Sequence, residues 1–204
     1  CRSLQFRSQV IRLFSSQHAV KLQIRLLDVP ASIERHKGCH RSWQDPHPGK
    51  GEIQFMEQEE FLQVYRHSLS HILAKAVIEI YGKDVQYAIG PQIEDGFYYD
   101  FALPEGKSIQ ESDLKGIENK MHEILKRKEN WTRKEVSKQE ALDIFKDQKF
   151  KTELIEDLPA DEKISIYYTG DDYVDLCRGP HVENSQELMS SAFELRSVSG
   201  SYWR

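Results

Sequence analysis

The chain has 204 residues, 39% of them hydrophobic and 30% charged, with a formal net charge of −5. That length suits one domain of about 150 residues plus an extra segment, with enough chain to bury a core. The acidic balance argues against a general nucleic-acid binder, the three cysteines (Cys1, Cys39, Cys177) build no disulfide framework and point to a reducing compartment, and no apolar run reaches membrane-spanning length.

Residues 1–55 read differently from the rest. Up to Arg25 there are five basic residues (Arg2, Arg7, Arg12, Lys21, Arg25) and no acidic one, with Ser and apolar residues between them. This is the composition of a mitochondrial transit peptide, and equally of a disordered or misassigned leader. Residues 35–51, rich in Pro, Gly, His and charge, read as linker. His36, Cys39, His40 and His47 are metal-capable types at irregular spacing. Residues 1–55 are therefore expected to be a disordered leader or linker, and residues 56–204 the folded domain.

From residue 59 to 81 the apolar positions Phe61, Leu62, Val64, Tyr65, Leu69, Ile72, Leu73, Ala76, Val77 and Ile80 form a helical stripe. Acidic residues stand near its start, where the helix dipole favours them, and Gly82 is a natural C-terminal cap. Residues 84–89 predict a strand, Gly90-Pro91 a turn, and residues 96–101 the returning strand. A helix is expected over residues 111–128, burying Ile117, Met121, Ile124 and Leu125. Residues 114–138 hold eight Lys/Arg against four Glu, either a solvated face or a contact for nucleic-acid phosphates. A strand over residues 131–136, a short helix capped by Ser137, strands within residues 164–177 and a last strand within residues 190–198 complete the pattern. Short strands alternate with a few helices without a repeated βαβ unit, so the expected class is α+β with a mainly antiparallel sheet.

Two stretches carry chemistry. His67-x-x-x-His71 places two imidazoles on one helix face, one turn apart. The spacing is that of a zinc-protease helix, but Ser68 stands where that motif needs Glu as general base, which argues against a metalloprotease. Asp175-Leu176-Cys177-Arg178-Gly179-Pro180-His181 again sets two ligand types four apart, here in a turn after a strand whose alternation points Asp175 and Cys177 to one side. Each half alone is equally well read as two partly exposed histidines, or as a buried thiol beside a turn histidine. Together they offer three His and one Cys, a tetrahedral zinc set.

These motifs, with Ala88-Ile89-Gly90-Pro91, Asp95-Gly96-Phe97-Tyr98-Tyr99-Asp100 and the closing Gly200-Ser201-Tyr202-Trp203-Arg204, occur in an order that closely resembles the editing domain of bacterial-type threonyl-tRNA synthetase, itself related to the alanyl-tRNA synthetase editing domain. The resemblance covers roughly residues 57–204. It implies a sheet wrapped around a long central His-bearing helix and hydrolysis of mischarged seryl-tRNA(Thr). Carried over by motif position, His67, His71, Cys177 and His181 form the site. His67 handles the water or the terminal ribose, Asp175 binds the substrate amino group or orients water, Lys151 stabilises negative charge and Tyr99 lines the seryl pocket. The cofactor stays open: zinc on His67, His71, Cys177 and His181 as in the alanyl relatives, or water without metal as in the threonyl branch.

The implied partner is tRNA(Thr) with its seryl ester, the implied location the cytoplasm or, from the basic leader, the mitochondrion, and the full-length family members are expected to be homodimers. No ATP-binding or aminoacylation motif is present in these 204 residues, which suits a fragment of a threonine–tRNA ligase or a free-standing trans-editing protein. A zinc-dependent hydrolase of another ester and a non-catalytic tRNA-binding appendage are the rival readings. In the family a small ubiquitin-like domain often precedes the editing domain, and residues 1–55 show no sign of it.

Overall fold

The computed structural model describes residues 19–27, 50–93 and 95–201. Among them the chain forms eight strands and four α-helices in two antiparallel sheets, the α+β class expected. Helix α1 (Lys50–Tyr81) is 32 residues long and stops at Gly82, whose φ of 101° is a left-handed backbone that glycine adopts without a Cβ penalty. The Gly82 N–H closes the helix by donating to the Ile78 carbonyl at 2.8 Å.

The larger sheet is built on β4 (Gly96–Ala102), whose two-residue partners β2 (Gln86–Tyr87) and β3 (Gln92–Ile93) pair with it antiparallel. The hairpin-like pairing expected around Gly90-Pro91 is therefore present, with shorter arms. On its other side β4 pairs with β1 (Ala19–Leu26), and β1 pairs in turn with β8 (Phe193–Gly200). Strand β1 falls inside the stretch that sequence composition had set aside as leader or linker. It is an interior strand of the sheet, with Leu22 and Ile24 wholly buried, because Val20, Leu22, Ile24 and Leu26 alternate with Lys21, Gln23 and Arg25 as a half-buried strand requires. Of the stretch up to Arg25 with transit-peptide composition, residues 1–18 lie outside the described residues, as do the linker with His36, Cys39, His40 and His47 and the closing Tyr202-Trp203-Arg204.

The main core lies between this sheet, α1 and α2 (Leu114–Lys126). Tyr65, Leu69, Ile72, Leu73, Ala76 and Val77 of α1 meet Phe97, Tyr99 and Phe101 of β4. Helix α2 contributes the four residues that its periodicity singled out, Ile117, Met121, Ile124 and Leu125. A 3-10 turn over Glu111–Asp113 occupies the first part of the helix expected there.

The second sheet runs β5 (Trp131–Val136), β6 (Ile164–Thr169), β7 (Tyr173–Leu176), all antiparallel. Helices α3 (Lys138–Ile144) and α4 (Lys149–Glu156) connect β5 to β6, with a smaller core around Ala141, Phe145, Ile155, Ile164 and Ile166. Ser137 caps α3, accepting from the Glu140 N–H, as the sequence predicted. Lys75, buried on α1, bridges Glu129 and Asp172 at 2.5 and 2.6 Å and donates to the Thr169 carbonyl. It thereby ties the β6–β7 hairpin to the helix that carries His67 and His71. Among the described residues no helix is long and apolar enough to cross a membrane.

Candidate functional site

Helical spacing brings His67 and His71 onto one face of α1, their rings edge to face with centroids 5.3 Å apart. Strand β7 and the turn after it bring the other half. Tyr173, Asp175 and Cys177 alternate along the strand direction and fall on one side. The turn then returns His181 against both helix histidines, with ring centroids 4.2 Å from His67 and 4.1 Å from His71. Gly179 makes this turn possible. Its φ is 68°, and a Cβ there would lie 2.2 Å from the Tyr167 hydroxyl.

Cys177 Sγ stands 3.2 Å from His67 Nε2 and 3.1 Å from His181 Nε2, and accepts from the Gly179 N–H at 3.1 Å. One ligand atom each from His67, His71, Cys177 and His181 lies within 4.8 Å of all the others. The two halves recognised in the sequence, more than a hundred residues apart, are therefore one cluster.

Asp175 adjoins it. One carboxylate oxygen pairs with the Lys151 ammonium at 2.5 Å; the other accepts from the Tyr99 and Tyr173 hydroxyls at 2.9 and 3.0 Å and lies 3.5 Å from His71 Nε2. Lys151 also donates to the Ala88 carbonyl at 2.6 Å, which anchors the turn before Gly90-Pro91 to the site. All seven residues singled out in the sequence thus come together. They divide by exposure. His67, Cys177 and His181 are half-buried and within reach of solvent, whereas His71, Asp175, Lys151 and Tyr99 are buried.

Burial sets the protonation states. Desolvation lowers the pKa of His67, of His71 (reinforced by His67 and Lys151) and of His181 (reinforced by His71 and His67), so all three imidazoles are neutral near pH 7. The same burial, with Asp175 nearby, pushes the Cys177 thiol up to about 12, so it is a thiol and not a thiolate. Tyr99 and Tyr173 are held well above their ordinary value by burial and by Asp175, and so stay hydroxyl donors.

The donor set fits zinc. Three imidazoles and a cysteine sulfur, which would give up its thiol proton on ligation, are types that zinc takes, and the 3.1 and 3.2 Å Sγ–Nε2 separations are close to the ~3.5 Å edge of a tetrahedron with bonds of about 2.0–2.3 Å. His71 Nδ1 is also buried without a hydrogen-bond partner.

Tyr173 and Ser68 were not identified as site residues by sequence. Tyr173 was findable, because it stands two residues before Asp175 on the same strand face. Ser68 carried no such signal; its Oγ lies 3.1 Å from His181 Nδ1, a residue 113 positions away. The basic stretch over residues 114–138 is largely matched within the domain. Lys115 pairs with Glu118, Lys120 with Glu123, Arg127 with Glu79 and Arg133 with Glu135, while Lys138 donates to the Glu156 and Leu158 carbonyls.

The family model described as threonyl and alanyl tRNA synthetase second additional domain matches residues 164–201, which hold β6, β7, Cys177 and His181. The chain is 44% identical over 149 residues to a threonine–tRNA ligase of Borreliella burgdorferi, covering 73% of this chain and 25% of the ligase. It is 49% identical over 150 residues to that of Thermotoga neapolitana, with 73% and 23% covered, and 47% identical over 161 residues to that of Rubrobacter xylanophilus, with 78% and 24% covered. The chain spans about a quarter of the length of these curated relatives. Over residues 164–201 the chain is thus similar to the second additional domain of threonyl and alanyl tRNA synthetases, and over about three quarters of its length to part of threonine–tRNA ligases.

Proposed function

We propose that this domain hydrolyses seryl-tRNA(Thr), releasing serine and tRNA with a free terminal ribose hydroxyl. One observation carries the reading: a neutral His67, the Cys177 thiol and His181 form the reachable side of a cluster whose other side is the buried Asp175–Lys151 pair. A water attacks the ester carbonyl and gives its proton to His67, whose lone pair is free at neutral pH; the bond to the ribose oxygen then breaks as His67 returns that proton to the departing oxygen, which leaves as a hydroxyl. On the reachable side of the cluster His181 Nε2 accepts from the water and orients it, and the Cys177 S–H is the donor available to the developing oxyanion. Asp175 is held by Lys151, Tyr99 and Tyr173 and acts by positioning His71, while Lys151 holds the turn at Ala88. The finer fold, a sheet wrapped around the His-bearing helix as in threonyl and alanyl editing domains, belongs to the same reading. So do tRNA(Thr) as partner, a cytoplasmic location and a homodimeric full-length ligase.

The need for such a site is physical. Threonine and serine differ by one methyl group, worth only ~1–3 kcal/mol in a pocket, so a second pocket too small for the methyl must reverse the selection. Zinc is the cofactor that the donor set would take. His67, His71, Cys177 and His181 would hold it, and it would lower the pKa of a bound water; with all four ligating it would be closed off and structural.

The reading is tested by following both esters with the purified chain. Seryl-tRNA(Thr) is expected to decay rapidly and threonyl-tRNA(Thr) to persist. Persistence of both with tRNA bound would identify a non-catalytic appendage. Activity lost to chelators and directed at unrelated esters would identify a zinc hydrolase of another class.

A further inference from the structure

Ser68 is wholly buried on α1, at the position that a zinc-protease helix would fill with Glu. Its hydroxyl has three partners: the Val64 carbonyl at 2.8 Å, the Val182 N–H at 3.0 Å and His181 Nδ1 at 3.1 Å. Counting protons assigns each contact. The Val64 carbonyl can only accept, so it takes the single hydroxyl proton. The Val182 N–H can only donate, so it takes one lone pair of Oγ. The remaining lone pair faces His181 Nδ1 and requires a proton there.

We propose that Ser68 is a positioning residue that fixes His181 as the Nδ1–H tautomer, so that Nε2 turns a lone pair, not an N–H, toward Cys177 Sγ and the centre of the cluster. The proposal rests on the hydrolytic reading of this site for its effect on turnover, and on hydrogen-bond geometry alone for the tautomer. A lone pair at Nε2 accepts the Cys177 S–H or a proton of bound water, and it is the atom that a metal would ligate; an N–H at that position would do neither. The same hydroxyl holds the Val182 amide, so one side chain sets both the tautomer of His181 and the height of its turn above α1. The arrangement is the usual way in which a neighbour's hydrogen bond to one ring nitrogen decides what the other can do.

The test reads the tautomer without substrate. Long-range proton–nitrogen NMR correlations of the 204-residue chain, ¹⁵N-labelled on histidine and recorded with and without chelator, are expected to show the His181 proton on Nδ1. A proton on Nε2 overturns the proposal. Ser68→Ala is expected to give a mixed or Nε2–H pattern and to lower kcat for seryl-ester hydrolysis by ~10–100-fold with KM little changed, and Ser68→Thr to restore both. Ser68→Ala with an unchanged His181 pattern overturns the assignment to Ser68. A chain with His181 protonated on Nδ1 and no ester hydrolysis defeats the hydrolytic reading while supporting the tautomer.

Discussion

Lys151 and Asp175, both almost wholly buried, hold ammonium and carboxylate 2.5 Å apart beside the histidine–cysteine cluster. Neither charge reaches bulk water, so each depends on the other. Asp175→Asn leaves the lysine uncompensated and is expected to cost about 3–5 kcal/mol, read from urea denaturation. Adding Lys151→Met should recover part of that loss, because the stranded charge goes with it. Additive losses in the double variant would contradict a coupled pair.

Acid should weaken the fold through the three histidines. Their folded pKa values are depressed, so their contribution is present above about 6.5, the unfolded value, and is lost as pH falls through that value toward the folded ones. Unfolding free energies at pH 8 and pH 5, with chelator present, should show the fall, at up to about 1.4 kcal/mol per pH unit for each histidine. His71→Asn should flatten the slope. A chain equally stable at both pH values would contradict neutral, desolvated imidazoles.

Strand β1 should be required for folding. Leu22 and Ile24 are fully buried between β4 and β8, and Ile24→Ala is expected to cost about 2–5 kcal/mol by thermal or urea denaturation. Removing residues 1–27 opens the sheet between β4 and β8 and should give an aggregating chain. A truncated chain with unchanged stability would contradict the pairing of β1.

Gly90 should be intolerant of a side chain. A Cβ there would meet the Tyr99 ring at 2.6 Å and Ser70 Cβ at 3.1 Å. Gly90→Ala must therefore displace Tyr99, whose hydroxyl holds Asp175, and is expected to cost about 1–3 kcal/mol and to slow ester hydrolysis. Wild-type stability and rate would contradict this packing.

The sequence carried much of this unevenly. The end of α1 was legible because Gly82 interrupts a clear apolar stripe, and the buried face of α2 because four residues recur at helical spacing. The start of α1 at Lys50 was not, since Gly51 and the residues around it show no periodic signal. Strand β1 had its signal, the alternation from Val20 to Leu26, but the basic composition around it suggested a leader. Composition describes a segment's average, whereas burial follows its period. The residues of the cluster were legible because each half pairs ligand types at close spacing. Ser68 was not, because its function is created by His181 through the fold and leaves no trace in the residues beside it.

The central claim is that the cluster breaks the seryl ester. The most direct measurement is the single-turnover decay of seryl-tRNA(Thr) with the wild-type chain and with His67→Ala, at matched folding by circular dichroism. Rapid decay in the wild type, slowed ~10²-fold or more in the variant, is the predicted result. Equal decay in both, or none in the wild type, would contradict it.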